Sequence, residues 1–250
     1  MFKVNNLTAK IADKTVLENL NLQINDGEIH VIMGRNGIGK STLCKIIMND
    51  KDYSVIGGSI IYNNKNILDL ETYEVAREKI MLISQHPISI EGITNAEVLR
   101  TALREVNNEN INIFEFNKKM EDACRALELD PKFIHKEVNV GASGGERKKV
   151  ELLHAAILEP KFLILDELDS GLDVDALKVV CNFINEYHQK TNCSILLITH
   201  HPNIVEYIKP NYVHILDNGQ IIKTGDYHLA YEIENEGFGA NIMVEDGQNE

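Results

Sequence analysis

The sequence predicts an α/β fold whose core is interrupted by a helical insert, and three features support this class. Compact apolar segments, such as IHVIM from Ile29 and FLILD from Phe162, are typical of buried strands. Between about residue 86 and residue 160, apolar residues recur at the three- and four-residue spacing of amphipathic helices. Strand-like segments return after that region, so the insert divides the core into two parts.

Residues 1–85 are predicted to form the first part of the core, built of short strands and turns. ENLNLQI alternates apolar and polar residues, and the NDGE that follows is typical of a turn. The pattern becomes helical at Lys40. GGSIIYNNKNI predicts a β-hairpin with an Asn-rich turn, and KIMLISQ predicts a further buried strand that ends near Gln85.

Residues 86–159 are predicted to be mainly helical, and residues 160–238 to return to the core. NAEVLRTAL, NKKMEDACRALEL and GERKKVELLHAAIL carry the helical pattern, while the polar EVNNENIN is expected to be an exposed loop. In the second part, the predicted strands are FLILD, SILLITH, YVHILDNG and QIIKTG, with DALKVVCNFINEYHQ as a helix. The polar, acidic residues 239–250 are expected to be poorly ordered.

The composition narrows the function classes. A formal net charge of -13 disfavours binding to nucleic acid, which needs clustered Lys and Arg, but it leaves room for a single nucleotide. No apolar segment approaches the roughly 20 residues that cross a bilayer, so direct membrane insertion is not expected. The four cysteines form no CxxC pair and are expected to be buried, reduced thiols. These features predict a cytoplasmic protein, or a plastid one if the chain is a processed form.

A phosphate-binding loop is predicted between residues 34 and 42, where GRNGIGKST satisfies GxxxxGK[ST]. Glycines let the backbone wrap around phosphate at the positive end of the following helix. Lys40 would neutralise the β- and γ-phosphates, and the Ser41 hydroxyl would bind Mg²⁺. The alternative, a glycine-rich turn with an exposed Lys, does not explain both the pattern and its strand–helix context. The predicted nucleotide-binding residues are Gly34, Arg35, Asn36, Gly37, Ile38, Gly39, Lys40, Ser41 and Thr42.

A second predicted strand, FLILD, ends in negative charge. A phosphate-binding loop requires a partner strand whose terminal Asp holds Mg²⁺, and Asp166 occupies that place. Glu167 directly follows and is placed to polarise an attacking water. The alternative is that these carboxylates mark the solvent-exposed end of a strand. Asp169 fits that simpler interpretation best.

The order of further motifs resembles the ATP-binding-cassette (ABC) ATPases. ASGGERKK, from Ala142, opens a predicted helix and is similar to the family signature LSGGQ. The resemblance implies that the signature of one subunit covers ATP held by the phosphate-binding loop of another. Its residues here are Ser143, Gly144, Gly145 and Glu146. It also implies the ABC-ATPase fold: a mixed β-sheet core with flanking helices, an N-terminal antiparallel β-subdomain and an inserted helical subdomain.

The resemblance assigns roles to other residues. Gln85 matches the glutamine that contacts Mg²⁺ and the attacking water, and His200 matches the histidine that contacts the γ-phosphate. The implied catalytic residues are therefore Glu167, His200 and Gln85, and the implied metal-binding residues are Ser41, Gln85 and Asp166. Ser170, Gly171, Leu172 and Asp173 match the D-loop at the dimer interface. The implied cofactors are ATP and Mg²⁺.

One element departs from the family pattern. Many of these ATPases stack adenine on an aromatic residue about two dozen positions before the phosphate-binding loop. The corresponding stretch, AKIADKT, has no aromatic residue, and Ile11 is its nearest apolar candidate. Triphosphate binding is therefore better supported than selectivity for adenine.

Three functional classes compete within the family: a membrane-transporter subunit, an ATPase of iron–sulfur cluster assembly, and an ATPase acting on nucleic acid. A single acidic cassette disfavours the last class. ASGGERKK and DELDSGLDVDALKVV differ from the LSGGQ and DEPTSALD of transporters, and with VNVGASGGE and LEPKFLILDE they resemble the SufC family. This resemblance implies SufB- and SufD-like scaffold partners and a transient ATP-dependent homodimer. Because the helical insert follows Gln85 directly, we expect it to be the docking surface for these partners. The alternative is an ATPase subunit of an ABC membrane transporter.

The basic residues 147–149 give a further hypothesis. They would pair with an acidic residue such as Glu167 in the undocked monomer and keep hydrolysis slow until dimerisation. The alternative is a solvated basic helix face.

Overall fold

The structure, a computed structural model, describes residues 1–107 and 111–236. Its strands are β1 (Phe2–Ile11), β2 (Lys14–Ile24), β3 (Ile29–Met33), β4 (Tyr53–Tyr62), β5 (Lys65–Asn66), β6 (Ile80–Ile83), β7 (Ile90–Thr94), β8 (Glu137–Val138), β9 (Phe162–Asp166), β10 (Ser194–Thr199), β11 (Tyr212–Asp217) and β12 (Gln220–Gly225). Its helices are α1 (Lys40–Ile47), α2 (Thr72–Arg77), α3 (Asn95–Asn107), α4 (Ile113–Ala126), α5 (Gly144–Leu158), α6 (Val174–Thr191), α7 (Pro202–Ile208) and α8 (Leu229–Glu236).

The central sheet has the strand order β12-β11-β3-β10-β9-β6. Five of these strands are parallel, and β12 pairs antiparallel with β11. All residues of β3, β9 and β10 are buried, which explains their mainly apolar sequences. The carboxyl ends of β3, β6, β9 and β10 lie at one edge of the sheet. In an α/β fold this edge is where ligands bind.

A second, antiparallel sheet has the order β2-β1-β4-β5. Its buried side chains pack with α1 and with one face of the central sheet; Phe2, for example, stacks on Phe162 with ring centroids 4.6 Å apart. The predicted hairpin with an Asn-rich turn is present: β4 and β5 are joined through Asn63 and Asn64, whose φ angles of 49° and 67° suit a tight turn. The prediction of short strands near the N-terminus was wrong, because β1 and β2 have 10 and 11 residues.

The region between β6 and β9 is mainly helical, as predicted, and its helices α3, α4 and α5 pack against the other face of the central sheet. Asn95 and His154 join two of these helices, since the His154 ring lies 2.7 Å from Asn95 Oδ1. The small sheet of β7 and β8 was not predicted, because a strand of two residues leaves no periodic pattern. Parts of EVNNENIN, and the whole tail from residue 239, lie outside the described residues.

The four cysteines, Cys44, Cys124, Cys181 and Cys193, are buried and unpaired. Burial raises the pKa of each thiol, to about 11 for Cys124 and about 12 for Cys181 and Cys193. Protonated thiols in such surroundings are poor nucleophiles and poor metal ligands. Across the described ranges, no helix is both long and apolar enough to cross a membrane.

Candidate nucleotide-binding and catalytic site

The loop between β3 and α1 encloses a cleft at the carboxyl edge of the central sheet. Gly37 and Gly39 have φ angles of 80° and 111°, a region that side chains disfavour. Gly39 is also constrained by space, since a Cβ there would lie 2.8 Å from the Val16 carbonyl oxygen. Its conformation starts α1 and leaves the first amides of the helix free to bind an anion. Lining residues are Asn36, Gly37, Gly39, Lys40, Ser41, Thr42, Gln85 and Glu167.

Lys40 spans this loop from beneath. Its Nζ donates hydrogen bonds of 2.9 Å to the carbonyl oxygens of Gly34 and Arg35, and only 4% of the residue is exposed. Nζ also lies 3.9 Å from Glu167 Oε1. Burial lowers the pKa of Lys40, and the nearby carboxylates oppose that shift. The geometry places a buried positive charge where phosphate oxygens would meet the loop.

Ser41 and Asp166, two of the predicted magnesium-binding residues, lie in contact. The Ser41 hydroxyl donates a 2.9 Å hydrogen bond to Asp166 Oδ1, so the start of α1 meets the end of β9. Burial raises the pKa of Asp166, while the bond from Ser41 opposes the increase. A hydroxyl and a carboxylate are the hard oxygen donors that Mg²⁺ prefers, and one or two of them suffice when the phosphates complete its coordination. The residues present therefore fit this cation.

Gln85 and His200, two of the three residues predicted to be catalytic, both approach the third, Glu167. The Gln85 side-chain amide donates a hydrogen bond to Glu167 Oε2, and His200 Nδ1 lies 3.5 Å from Oε1. The Glu167 amide donates to the Ile198 carbonyl oxygen at 2.9 Å, which ties the residue to β10. Its φ of 45° is unusual for a residue with a side chain and costs on the order of 1 kcal/mol. The fold thus holds this carboxylate, which is 7% exposed, at one point beside the cleft.

The sequence did not reveal that Asp169 is buried. It is 8% exposed, and Oδ2 accepts a 2.9 Å hydrogen bond from the Thr199 hydroxyl. Thr199 is the last residue of β10 and directly precedes His200. Burial raises the pKa of Asp169. The interpretation of Asp169 as a solvent-exposed carboxylate was therefore wrong: it joins the loop after β9 to the loop carrying His200.

The signature segment lies at the start of α5. Ser143 caps this helix: its hydroxyl accepts from the Glu146 amide at 3.3 Å, and the Glu146 carboxylate accepts from the Ser143 amide at 2.8 Å. Ser143 and Gly144 are exposed, and neither lines the cleft described above. Within one described chain, the signature therefore stands apart from the phosphate-binding loop.

The D-loop, residues 170–173, connects β9 to α6 and lies next to the signature helix. A Cβ on Gly145 would approach Leu172 to 3.4 Å. Asp173 caps α6 by accepting a 2.8 Å hydrogen bond from the Ala176 amide. The Ser170 backbone amide donates a 3.1 Å hydrogen bond to the Glu167 carbonyl oxygen, so the chain turns tightly directly after Asp166 and Glu167.

The hypothesis that basic residues after the signature pair with Glu167 was wrong. Lys148 is 2% exposed, and its Nζ donates to the carbonyl oxygens of Ser84 and Gln85 at 2.9 and 2.7 Å. Arg147 donates to the Ala142 carbonyl oxygen and Lys149 to that of Glu128. The alternative of a solvated basic face is also wrong for Lys148. Burial lowers its pKa, and this lysine connects α5 to the segment that carries Gln85.

Ile11, the apolar candidate for contact with the nucleotide base, ends β1 and is 39% exposed. It pairs with Lys14 across the β1–β2 hairpin. This hairpin lies beside the phosphate-binding loop, because the Val16 carbonyl oxygen on β2 is next to Gly39. The hairpin turn offers an aliphatic surface and no aromatic ring. Its role in base binding stays a prediction.

Comparison with known proteins agrees with this geometry. The profile of the ABC transporter family matches residues 17–170. The chain is 43% identical to "Probable ATP-dependent transporter ycf16" of Cyanophora paradoxa, over 95% of this chain and 93% of that protein. It is 40% identical to "Probable ATP-dependent transporter SufC" of Escherichia coli K12, over 96% and 98% of the two chains.

Solved structures share the same fold. The dimeric ATP-binding cassette MJ0796, described as bound to ADP and Pi in a post-hydrolysis state, superposes with a TM-score of 0.79. The two chains are 23% identical over 91% of this chain and 99% of that one. The family profile covers more than half of this chain, and the two relatives align with it over almost its full length. The arrangement around Glu167 agrees with both findings. This chain therefore belongs to the ABC transporter family and is an ABC-type ATPase that uses ATP with Mg²⁺.

Proposed function

We propose that this chain is the SufC-type ATPase of an iron–sulfur cluster assembly machine. Two observations support the proposal. The chain is 40% identical to a protein named SufC over nearly its full length, and the residues around the signature and D-loop differ from those of transporters. The proposed ATP hydrolysis rests on one observation: the side chains of Gln85, His200 and Lys40 all lie next to the Glu167 carboxylate.

In the proposed reaction, water attacks the γ-phosphorus and the bond to the β–γ bridging oxygen breaks. Glu167 accepts the water's proton, and Gln85 and His200 orient water and γ-phosphate. Lys40 and the amides of α1 bind the phosphate oxygens. Mg²⁺, when bound between Ser41 and Asp166, would stabilise the charge on the β- and γ-phosphates.

We further propose that the chain acts as a transient, ATP-dependent homodimer. Ser143 and Gly144 are exposed and lie apart from the cleft of their own chain, so their free surface fits a nucleotide bound by a second copy. The dimeric state in the name of the MJ0796 structure supports this arrangement. The D-loop, residues 170–173, would then lie at the interface between the two copies.

We propose that residues 1–85 and 160–238 form the nucleotide-binding core and residues 86–159 a helical subdomain that docks on SufB- and SufD-like scaffolds. Ile88 is 72% exposed and Ile90 37% exposed, both shortly after Gln85. An apolar contact here would act directly on the catalytic segment. The buried cysteines are unsuited to hold a cluster, so its ligands would belong to the scaffolds.

The test is co-purification of a Glu167→Gln variant with purified SufB- and SufD-like proteins, with and without ATP. We expect complex formation, and we expect Ile88→Asp to abolish it while ATP binding stays intact. Ile56→Asp is the matched control, because Ile56 is 56% exposed on β4, outside the helical subdomain. Failure to bind these scaffolds, together with capture of an integral membrane protein, would support the transporter alternative.

A further inference from the structure

Asn139 stands at the centre of a small buried network outside the catalytic residues. It is 1% exposed and has a φ of 57°. Its side-chain amide donates to the Ile88 carbonyl oxygen at 2.9 Å and to Glu151 Oε1 at 3.0 Å. Its backbone carbonyl oxygen accepts a 3.1 Å hydrogen bond from the Ser89 hydroxyl. One residue therefore holds two consecutive residues of the segment that follows Gln85.

The same residue is linked to the signature. Asn139 lies four positions before Ser143, and the Ala142 amide donates to the Asn139 carbonyl oxygen at 3.4 Å. Glu151 lies on α5, the helix that Ser143 caps. Burial raises the pKa of Glu151, and the hydrogen bond from Asn139 opposes that increase. Asn139 thus bonds to both the turn before α5 and a side chain within α5.

A second tether holds the other end of the same segment. Lys148, also on α5, donates to the carbonyl oxygens of Ser84 and Gln85. The backbone from residue 84 to residue 89 is therefore fixed at both ends by groups from the signature region. A displacement of this segment requires either breaking these bonds or moving α5 with it.

We propose that Asn139 is a positioning residue that couples the Gln85 segment to the signature helix. A shift of Gln85 on binding the γ-phosphate then moves Ser143, and a second copy that engages Ser143 shifts Gln85 in turn. The inference rests on the proposed roles of Gln85 and Ser143. Asparagine suits the position because it tolerates a left-handed backbone and offers two side-chain N–H donors.

The decisive experiment combines Asn139→Gly with Gln85→Ala in steady-state ATPase and nucleotide-binding assays. Glycine keeps the left-handed backbone and removes both side-chain bonds. We expect the ATP dissociation constant to stay within about twofold and kcat to fall about tenfold, as for loss of a typical coupling between sites. In a chain that already carries Gln85→Ala, adding Asn139→Gly is expected to change kcat less than about twofold, because the effects of coupled residues are not additive.

The control is Asn63→Gly, the same exchange at a φ of 49° in the β4–β5 turn, which should leave kcat unchanged. An equal loss of kcat in both backgrounds, or a kcat for Asn139→Gly within twofold of the unaltered chain, contradicts the coupling. Normal kcat for Gln85→Ala alone refutes the proposed catalytic role of Gln85 instead, so the two failures are distinguishable.

Ser89→Ala keeps the test available if Asn139→Gly does not fold. It removes only the bond to the Asn139 carbonyl oxygen, and we expect a smaller loss of kcat, about threefold, that disappears when Gln85 is alanine. Hydrogen exchange of the amides between residues 84 and 90 is expected to accelerate in both variants. Unchanged exchange with unchanged kcat would overturn the proposal.

Discussion

The Ser41 hydroxyl and the Asp166 carboxylate are joined by a 2.9 Å hydrogen bond, although 125 positions separate them in the chain. The bond forms because β3 and β9 flank β10 in the central sheet and run in the same direction, so their carboxyl ends lie close together. Strand order thereby brings together two of the oxygen groups predicted to bind Mg²⁺.

Ser41→Ala should weaken nucleotide binding only when Mg²⁺ is present. Loss of one hard oxygen ligand is expected to reduce the affinity for Mg²⁺–ATP about tenfold and to leave the affinity for ATP in EDTA unchanged. Isothermal titration calorimetry with and without Mg²⁺ measures both. Ser59→Ala on β4 is the control. An equal loss in EDTA would show that the hydroxyl serves the phosphates and not the cation.

Glu167→Gln should separate hydrolysis from binding. The amide keeps the size of the side chain but cannot accept the water's proton, so kcat is expected to fall about 10²-fold or more. The dissociation constant for Mg²⁺–ATP should change little. Phosphate release and nucleotide titration are the measurements, and Glu186→Gln on the exposed face of α6 is the control. Retention of kcat would remove Glu167 from the proposed mechanism.

Lys148→Met should destabilise the fold. Methionine fills a similar volume but leaves the carbonyl oxygens of Ser84 and Gln85 without their donor in a buried place. We expect the free energy of unfolding to fall by about 1–3 kcal/mol. Lys149→Met, whose lysine makes one longer contact of 3.4 Å, should change it by less than about 0.5 kcal/mol. Urea denaturation followed by circular dichroism measures the difference.

Acid should destabilise the protein through His154. Burial lowers its pKa from the ordinary value of 6.5 to about 4, so the unfolded chain binds a proton at a higher pH than the folded one. The contribution to stability is fully present above pH 6.5 and is lost as the pH falls to about 4, a change of about 3 kcal/mol.

His154→Gln tests this contribution, because glutamine can still donate to Asn95 but does not titrate. Between pH 6.5 and 4, the free energy of unfolding of this variant should fall less steeply than that of the unaltered chain. The exposed His135→Gln is the control. Parallel curves for His154→Gln and the unaltered chain would contradict the prediction.

The sequence predicted those parts of the site that are local. The residues from Gly34 to Thr42 form one continuous loop and helix start, and Asp166 and Glu167 are adjacent at the end of one strand. Such arrangements follow from the phosphate-binding pattern and from apolar runs. The central strands were also predicted, because burial on both faces makes their sequences mainly apolar.

The remaining contacts depend on tertiary packing and left no pattern in the sequence. Asp169 meets Thr199, and Asn139 meets Ile88, across 30 and 51 positions. Lys148 occurs in a basic run that is typical of a solvated surface, yet α5 directs it inward to two carbonyl oxygens. A single sequence shows the residue types at these positions but not the distance between them.

Lys40 closes its loop into a ring, since its ammonium group bonds the two residues with which the loop begins. Those bonds form when the protein folds, and the glycines that shape the cradle are ordered at the same time. A phosphate group therefore meets a surface whose conformational entropy has already been removed, and binding need not order the loop again. Preorganisation of this kind raises the affinity for phosphate, because less conformational entropy is lost when the ligand binds.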